Sequence, residues 1–203
     1  MIVIGLTGSI AMGKSTVAEM FRAEGVAVFD SDAAVHAIYR GPEAQRIEQA
    51  FPGVLVDGAV DRARLGDRVL NDGAALARLE AIVHPMVARA RDAFLATSAA
   101  NARRAALVDV PLLFESGAER AFDLVVVVSA PESVQKARAM GRAGMTAARL
   151  EAIIAKQMPD IEKRRRAHAV IDTRGPFEFT RAQTVGLLRS LAPLVGKYRG
   201  AHA

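Results

Sequence analysis

Eight residues near the N-terminus limit the possible folds more than any other part of the chain. Residues 8–15, GSIAMGKS, match the phosphate-binding loop pattern G-x-x-x-x-G-K-[S/T]. An apolar run precedes them at 2–6, and residues 14–24 have the pattern of a helix. A strand that turns tightly into a helix directs several backbone N–H groups and the positive end of the helix dipole at one point. The sequence therefore predicts a strand–loop–helix unit that binds a phosphate chain.

The side chains of this loop have separate predicted tasks. Lys14 is the mobile charge that reaches the outer phosphates of the bound chain, and the Ser15 hydroxyl is placed to ligate Mg²⁺. Ala11 and Met12 stand where small or glycine residues are usual, so the loop must fold there without glycine's freedom at positive φ. The predicted nucleotide-binding residues are Gly8, Ala11, Met12, Gly13, Lys14, Ser15 and Thr16. A glycine turn with a surface lysine is disfavoured, because the fixed positions coincide by chance less than about once in a hundred chains of this size.

Five apolar, β-branched runs recur along the chain and are separated by helical stretches. They cover residues 2–6, 26–29, 105–110, 124–128 and 169–171. Runs that are apolar on both faces are typical of a parallel sheet covered by helices on each side. The predicted fold class is α/β, a P-loop NTPase three-layer fold with a parallel five-stranded sheet.

Two helical segments interrupt the predicted core. Residues 40–103 have helical periodicity and are too long for a simple crossover, so we expect a helical insertion that covers a substrate. Its predicted helices cover 61–70, 74–83 and 86–95. Residues 131–166, the lid segment, have predicted helices at 131–142 and 146–158 joined at Gly144, and we expect them to act as a lid. The core is left with residues 1–39, 104–130 and 167–203. Core, insertion and lid segment are expected to form one P-loop unit.

The composition limits the classes of function. The chain has 203 residues, 51% hydrophobic and 24% charged, and no cysteine, which predicts one globular unit without disulfides, thiolate metal sites or a cysteine nucleophile. The apolar runs are too short to span a membrane and no basic leader precedes the first, so we expect a cytoplasmic protein that binds no membrane.

The net charge of +5 fits an enzyme that gathers polyanionic phosphates as well as a nucleic-acid binder. Its main cluster is residues 163–166, KRRR. We interpret this cluster as a solvated helix face or the arginine side of a nucleotide site. With two tyrosines and no tryptophan, stacking platforms for nucleic acid are scarce.

Acidic residues follow two of the predicted strands at the carboxyl edge of the sheet, where open α/β folds bind ligands. Asp30 and Asp32 share a face if the segment is extended. Asp32 could accept a proton from an attacking hydroxyl, and Asp30 could orient it or touch the waters of a metal; both could equally be helix caps or turn formers. Asp109 ends the third strand, as expected of a residue that holds magnesium through water, and a capping role is the alternative. Glu115 is a weaker candidate nearby.

Two arginines and a histidine complete the candidates. Arg138 and Arg142 are four apart on a predicted lid helix, so both would point one way and stabilise charge during phosphoryl transfer. The alternative is a solvated helix face. His84 precedes Pro85, and a packing or capping role is favoured over catalysis, because its local sequence supplies no orienting partner.

Five motifs together resemble the dephospho-CoA kinase family over nearly the whole chain. They are the loop at 5–16, FDSD at 29–32, HP at 84–85, DVPLLFE at 109–115 and VID at 170–172. The resemblance implies that ATP phosphorylates the ribose 3′-hydroxyl of dephospho-CoA, the last step of coenzyme A synthesis, with Asp32 as the base. It implies that the insertion binds the CoA part, and it adds His84, Pro111 and Leu112 to Asp32 as substrate-binding residues. Departures from the family pattern are Ala11, Met12 and His168.

Three alternatives remain open. One is a kinase for another small hydroxylated metabolite or a nucleoside monophosphate on the same scaffold. Another is a GTP-binding switch, which needs N-K-x-D, whereas neither Asn71 nor Asn101 precedes a lysine. The third, an ATP-regulated nucleic-acid binder, rests on residues 163–166 alone. The expected partners are ATP and dephospho-CoA with Mg²⁺, without nucleic acid or membrane, and we expect a monomer or weak homo-oligomer.

Overall fold

Apolar segments alternate with helices along the chain and form the strands of a parallel sheet. The structure, a computed structural model, describes residues 1–70, 72–194, 196 and 198. Its strands are β1 (Ile2–Thr7), β2 (Ala27–Asp30), β3 (Leu55–Val56), β4 (Ala59–Val60), β5 (Ala105–Asp109), β6 (Leu124–Ser129) and β7 (Ala169–Asp172). Within the described residues, five strands form one sheet in the order β2-β5-β1-β6-β7, and β3 and β4 form an antiparallel pair. The predicted α/β class with a five-stranded parallel sheet is confirmed.

The chain forms two compact units. Unit 1 comprises residues 1–29 and the chain from Thr97 onward, and unit 2 comprises Asp30–Ala96. The helices are α1 (Lys14–Ala23), α2 (Ser31–Arg40), α3 (Ala44–Ala50), α4 (Arg62–Val69), α5 (Gly73–Ala100), α6 (Glu132–Met140), α7 (Ala147–Ala155), α8 (Asp160–Arg166) and α9 (Phe177–Leu191). No described helix has both the length and the hydropathy needed to cross a membrane.

The two faces of the sheet in unit 1 pack into separate apolar clusters. Val126 and Val128 of β6 join a cluster with Phe21 of α1, whereas Val125 and Val127 join Leu113, Phe114 and Met158. All four valines are fully buried. Successive side chains of a strand point to opposite faces, so a strand covered on both sides has to be apolar throughout. This is why the core strands are continuous apolar runs in the sequence.

Unit 2 has its own apolar core, and its helices differ from the predicted pattern. Two helices were expected at 74–83 and 86–95, but the chain forms one helix, α5, with Pro85 inside it. A proline removes one helical hydrogen bond. Val83 and Met86 on either side of it both pack into the core of unit 2, which keeps the helix continuous. The short helix α3 and the β3–β4 hairpin were not predicted.

Candidate active site

The phosphate-binding loop lies between the end of β1 and the start of α1, and two of its glycines are required by space and backbone geometry. A Cβ at Gly8 would lie 2.7 Å from the carbonyl oxygen of Val128. Gly13, the residue before α1, has φ 90°, which residues with side chains rarely adopt. The predicted strand–loop–helix unit is therefore confirmed.

Backbone donors are available where the loop meets the helix. The Val17 N–H donates to the Gly13 carbonyl oxygen at 3.1 Å, so the N–H groups of Lys14, Ser15 and Thr16 have no acceptor within their own helix. Together with the positive end of the helix dipole, such N–H groups bind anions. The start of α1 can therefore hold phosphate oxygens.

Lys14 and Asp109 are brought together by adjacent strands. In the sheet register, Leu6 of β1 is opposite Asp109 of β5. The ammonium of Lys14 forms an ion pair with a carboxylate oxygen of Asp109, and the two side chains are only 16% and 7% exposed. The loop lysine and the acid predicted to hold magnesium through water thus occupy the same place, at the carboxyl edge of the sheet.

The loop folds without glycine at Ala11 by using packing and distant side chains. Ala11 has φ 62°, and its methyl group is buried in a cluster with Ala139 and Leu150. The Ile10 peptide and the Met12 carbonyl are hydrogen-bonded by side chains from outside the loop. These bonds run from Ile10 N–H to Gln157 Oε1 (3.0 Å), from Gln135 Nε2 to the Ile10 oxygen (2.9 Å) and from Thr173 Oγ1 to the Met12 oxygen (2.7 Å).

A pocket of about 360 Å³ opens beside the loop within unit 1. Its lining includes Ala11, Gly13, Thr16, Arg138, Arg142 and Phe177. Arg138 is held by Thr173, donating to the hydroxyl at 3.0 Å and to the carbonyl oxygen at 2.6 Å. The expectation that both arginines share a helix is wrong, because α6 ends at Met140 and Arg142 follows in a turn. The two arginines nevertheless line the same pocket.

Asp30 and Asp32 do not share a face of an extended segment, because α2 begins at Ser31. Asp30 caps this helix and accepts a hydrogen bond from the Ala33 N–H at 2.9 Å, as the capping alternative predicted. Asp32 lies in the first turn with an exposed side chain. His84, also in unit 2, is exposed on α5. The Asp32 carboxylate is accessible to a substrate, whereas Asp30 is engaged by its own helix.

The segment after β5 is fixed by a buried ion pair. The Glu115 carboxylate oxygen Oε1 forms an ion pair with Lys163 Nζ at 2.9 Å and accepts a hydrogen bond from the Met158 N–H at 2.7 Å. Lys163 is fully buried. Burial acts to raise the pKa of Glu115, but the nearby charge of Lys163 and the hydrogen bond from the Met158 N–H outweigh it and hold the pKa below its ordinary value. Pro111 and Leu112 belong to the same segment, and Leu112 is 44% exposed.

In the basic cluster at 163–166, Lys163 is buried, whereas Arg164, Arg165 and Arg166 are exposed, as the interpretation as a solvated helix face predicts. Besides the buried Lys163, Arg165 pairs with Glu162 at 2.9 Å, and Arg166 pairs with Glu119. The Arg166 guanidinium also lies over the ring of Phe114, 4.9 Å from its centre. Lys163 and Arg166 therefore connect this helix to other segments of unit 1.

We expect Glu115→Gln to lower the free energy of unfolding by about 3 kcal/mol at neutral pH, because it leaves the buried Lys163 ammonium without its charged partner. The depressed pKa of folded Glu115 means that its contribution is present above the unfolded-state pKa and is lost as the pH falls through the folded-state pKa. Urea unfolding of both proteins across this range measures the difference.

The matched control is Glu162→Gln, which breaks a partly exposed pair and should cost less than about 1 kcal/mol. A Glu115→Gln deficit that stays constant below the folded-state pKa would contradict the assignment of the ion pair.

The sequence did not reveal the side chains that form hydrogen bonds with the backbone of the phosphate-binding loop. Gln135, Gln157 and Thr173 are 125, 147 and 161 residues from the loop residues that they bind. A polar residue on a helix or in a turn carries no local signal of such a partner. Only the arrangement of α6, α7 and β7 around the loop reveals their role.

Known proteins resemble this chain over most of its length. A sequence profile of the family described as CoaE, dephospho-CoA kinase, matches residues 2–178. The dephospho-CoA kinase of Mesorhizobium japonicum is 54% identical over 191 residues, covering 94% of this chain and 97% of the relative. The crystal structure of TT1252 from Thermus thermophilus has a TM-score of 0.83 and 34% identity, covering 94% of this chain and 97% of that one. Dephospho-CoA kinase from Campylobacter jejuni has a TM-score of 0.64 and 25% identity, covering 93% and 96%.

Proposed function

Since the chain belongs to the dephospho-CoA kinase family, we propose roles for its residues in phosphate transfer. The chain phosphorylates the ribose 3′-hydroxyl of dephospho-CoA with ATP, giving CoA and ADP in the final step of coenzyme A biosynthesis. The observation that carries this function is the 54% identity to a dephospho-CoA kinase over 94% of the chain, together with the family profile over residues 2–178, which include the phosphate-binding loop. We propose that unit 1 binds ATP and that unit 2 binds the acceptor.

In this proposal, ATP binds to unit 1 through the start of α1. The N–H groups of Lys14, Ser15 and Thr16 hold phosphate oxygens, and the Lys14 ammonium moves from Asp109 to the β- and γ-phosphates. The pocket lined by Arg142 and Phe177 takes the rest of the nucleotide. Support comes from the N–H groups that have no acceptor within α1 and from the position of Lys14 beside the loop.

The same residues fit a bound Mg²⁺. The exposed Ser15 hydroxyl would ligate the ion directly and the Asp109 carboxylate would hold it through water, and oxygen ligands of this kind suit Mg²⁺. Among the described residues, no group of three His, Cys, Asp or Glu side chains could hold a metal by itself. The substrate phosphates would therefore complete the coordination, and the ion would neutralise charge on them.

Asp32 is proposed as the general base. Its carboxylate is exposed in the first turn of α2 and is not used as a cap, so it is free to accept the proton of the ribose 3′-hydroxyl. Arg142 and Arg138, which line the same pocket, are proposed to stabilise charge on the transferring phosphate. Arg138 also donates a hydrogen bond to Thr173. Residues 40–103, with His84, Pro111 and Leu112, are proposed to contact the acceptor. A cytoplasmic location and a monomeric or weakly associated state stay predictions.

Acceptor specificity tests the function. Contacts with the pantetheine arm and the adenine should position the ribose hydroxyl, so adenosine and AMP should show kcat/KM at least about a hundredfold below that of dephospho-CoA. ADP formation with ATP and Mg²⁺ is measured for each acceptor, and the product is identified by mass and by its 3′-phosphate. Turnover of AMP, shikimate or gluconate with dephospho-CoA inert would reject the assigned substrate while leaving the kinase scaffold intact.

A further inference from the structure

Two glutamine side chains form hydrogen bonds with the backbone N–H and the backbone carbonyl of one residue of the phosphate-binding loop, Ile10. The Ile10 N–H donates to Gln157 Oε1, and Gln135 Nε2 donates to the Ile10 carbonyl oxygen. A backbone N–H can only donate and a carbonyl can only accept, so both amide orientations are fixed by the partner. Gln157 must present its oxygen and Gln135 its nitrogen.

The loop has a particular need for these bonds at Ile10. The next residue, Ala11, has φ 62°, a conformation that is unfavourable for any residue with a Cβ. Within the loop, the Met12 N–H is bonded to the Ser9 oxygen at 3.2 Å, and that turn leaves both polar groups of Ile10 to outside partners. The glutamines therefore stabilise a backbone conformation that the loop sequence itself disfavours.

The two glutamines belong to different parts of the lid segment, 131–166. Gln135 lies on α6 and is 6% exposed. Gln157 lies between α7 and α8, and the N–H of the next residue, Met158, is held by Glu115. Glu115 is paired with Lys163 of α8. The chain around Gln157 is therefore anchored to α8 on one side and to the phosphate loop on the other.

We propose that Gln135 and Gln157 are positioning residues that hold the phosphate loop in its nucleotide-binding conformation, and that Gln157 couples nucleotide binding to the order of the α7–α8 region. The inference rests on the proposed binding of ATP to this loop. Coupling of this kind is reciprocal: if the glutamine bond favours the binding conformation of the loop, bound nucleotide strengthens the anchoring of residues 147–166.

The fixed amide orientations give a sharp test with matched variants. Gln157→Glu keeps an acceptor oxygen, whereas Gln157→Met removes it at similar length. Gln135→Glu and Gln135→Met both remove the donor, and the glutamate also places a carboxylate against the Ile10 carbonyl. The probe is MgADP, whose dissociation constant is measured by calorimetry without acceptor or chemistry.

We expect Gln157→Met and Gln135→Met to weaken MgADP binding about fivefold to tenfold, the effect of one lost hydrogen bond. Gln157→Glu should stay within about twofold of the unaltered protein, and Gln135→Glu should be at least as weak as Gln135→Met. In steady state, KM for ATP should rise by the same factor in the methionine variants, with KM for dephospho-CoA unchanged. Equal behaviour of Gln157→Glu and Gln157→Met, or normal binding by Gln135→Glu, would overturn the proposal.

Hydrogen exchange tests the coupling separately. Saturating MgADP should increase amide protection in residues 147–166 of the unaltered protein and of Gln135→Met, but not of Gln157→Met. An equal gain in all three proteins would reject the coupling. If buried Gln135 variants fail to fold, the two Gln157 variants decide the matter, because that side chain is only partly buried.

The test is independent of the acceptor. A protein that proves inert toward dephospho-CoA can still show the predicted pattern of MgADP binding, and an active kinase can fail to show it. Failure of the positioning role is thus distinguishable from failure of the proposed function.

Discussion

Lys14→Met should give a folded protein that transfers almost no phosphate, with kcat reduced by about a thousandfold or more. The Lys14 ammonium is the mobile charge proposed to meet the outer phosphates of ATP, where negative charge is redistributed during transfer. Methionine keeps much of the side-chain length and removes that charge. ADP formation at saturating ATP and dephospho-CoA measures the effect.

The substitution also removes the ion pair between Lys14 and Asp109, so folding has to be measured beside activity. Thermal unfolding establishes that the variant is native. Lys136→Met, which removes an exposed lysine on α6, is the matched control and should keep full activity. Near-normal turnover by folded Lys14→Met protein would contradict the role of the loop in phosphate binding.

Asp32→Asn should lower kcat by about 10²–10⁴-fold, the usual contribution of a positioned general base. The side chain is exposed and asparagine has the same shape, so the fold and the binding of MgADP should be preserved. Turnover with saturating ATP and dephospho-CoA, together with calorimetry for MgADP, separates the loss of the base from a loss of binding.

Asp30→Asn is the control that the structure provides. Asparagine caps helices as well as aspartate does, and its side-chain oxygen can still accept the Ala33 N–H, so this variant should be nearly as active as the unaltered protein. If Asp30→Asn lowered kcat strongly and Asp32→Asn lowered it only slightly, the two assignments would be reversed.

Local patterns predicted the features that depend on neighbouring residues. The phosphate-binding loop was recognisable because glycine is required at fixed spacing by the turn and by the close approach of Gly8 to Val128. The core strands were recognisable because both faces are buried, which requires continuous apolar runs. The choice for Asp30 between a role beside the base or the metal and a role as a helix cap could not be made in the same way, because it depended on α2 beginning at the next residue, Ser31.

The α5 helix shows why longer-range packing escaped prediction. Pro85 signals a helix end in the sequence, but burial of Val83 and Met86 in one core outweighs the lost hydrogen bond. Lys163 and its arginine neighbours were interpreted as a solvated helix face or the arginine side of a nucleotide site, yet Lys163 is buried and paired with Glu115. In both cases a tertiary partner overrides a correct local preference.

The sequence by itself determined the α/β class, the strand–loop–helix that opens the chain and the acidic residues at strand ends, because each follows from periodicity or from steric demands within a few residues. Tertiary structure decided the rest of the active site in unit 1. It placed Lys14 beside Asp109, Arg138 on Thr173, and Gln135 and Gln157 around Ile10. These partners meet only when the sheet order and the helices after β6 bring distant segments together. The hydrogen bonds from Gln135 and to Gln157 compensate for a loop that has alanine instead of glycine at position 11.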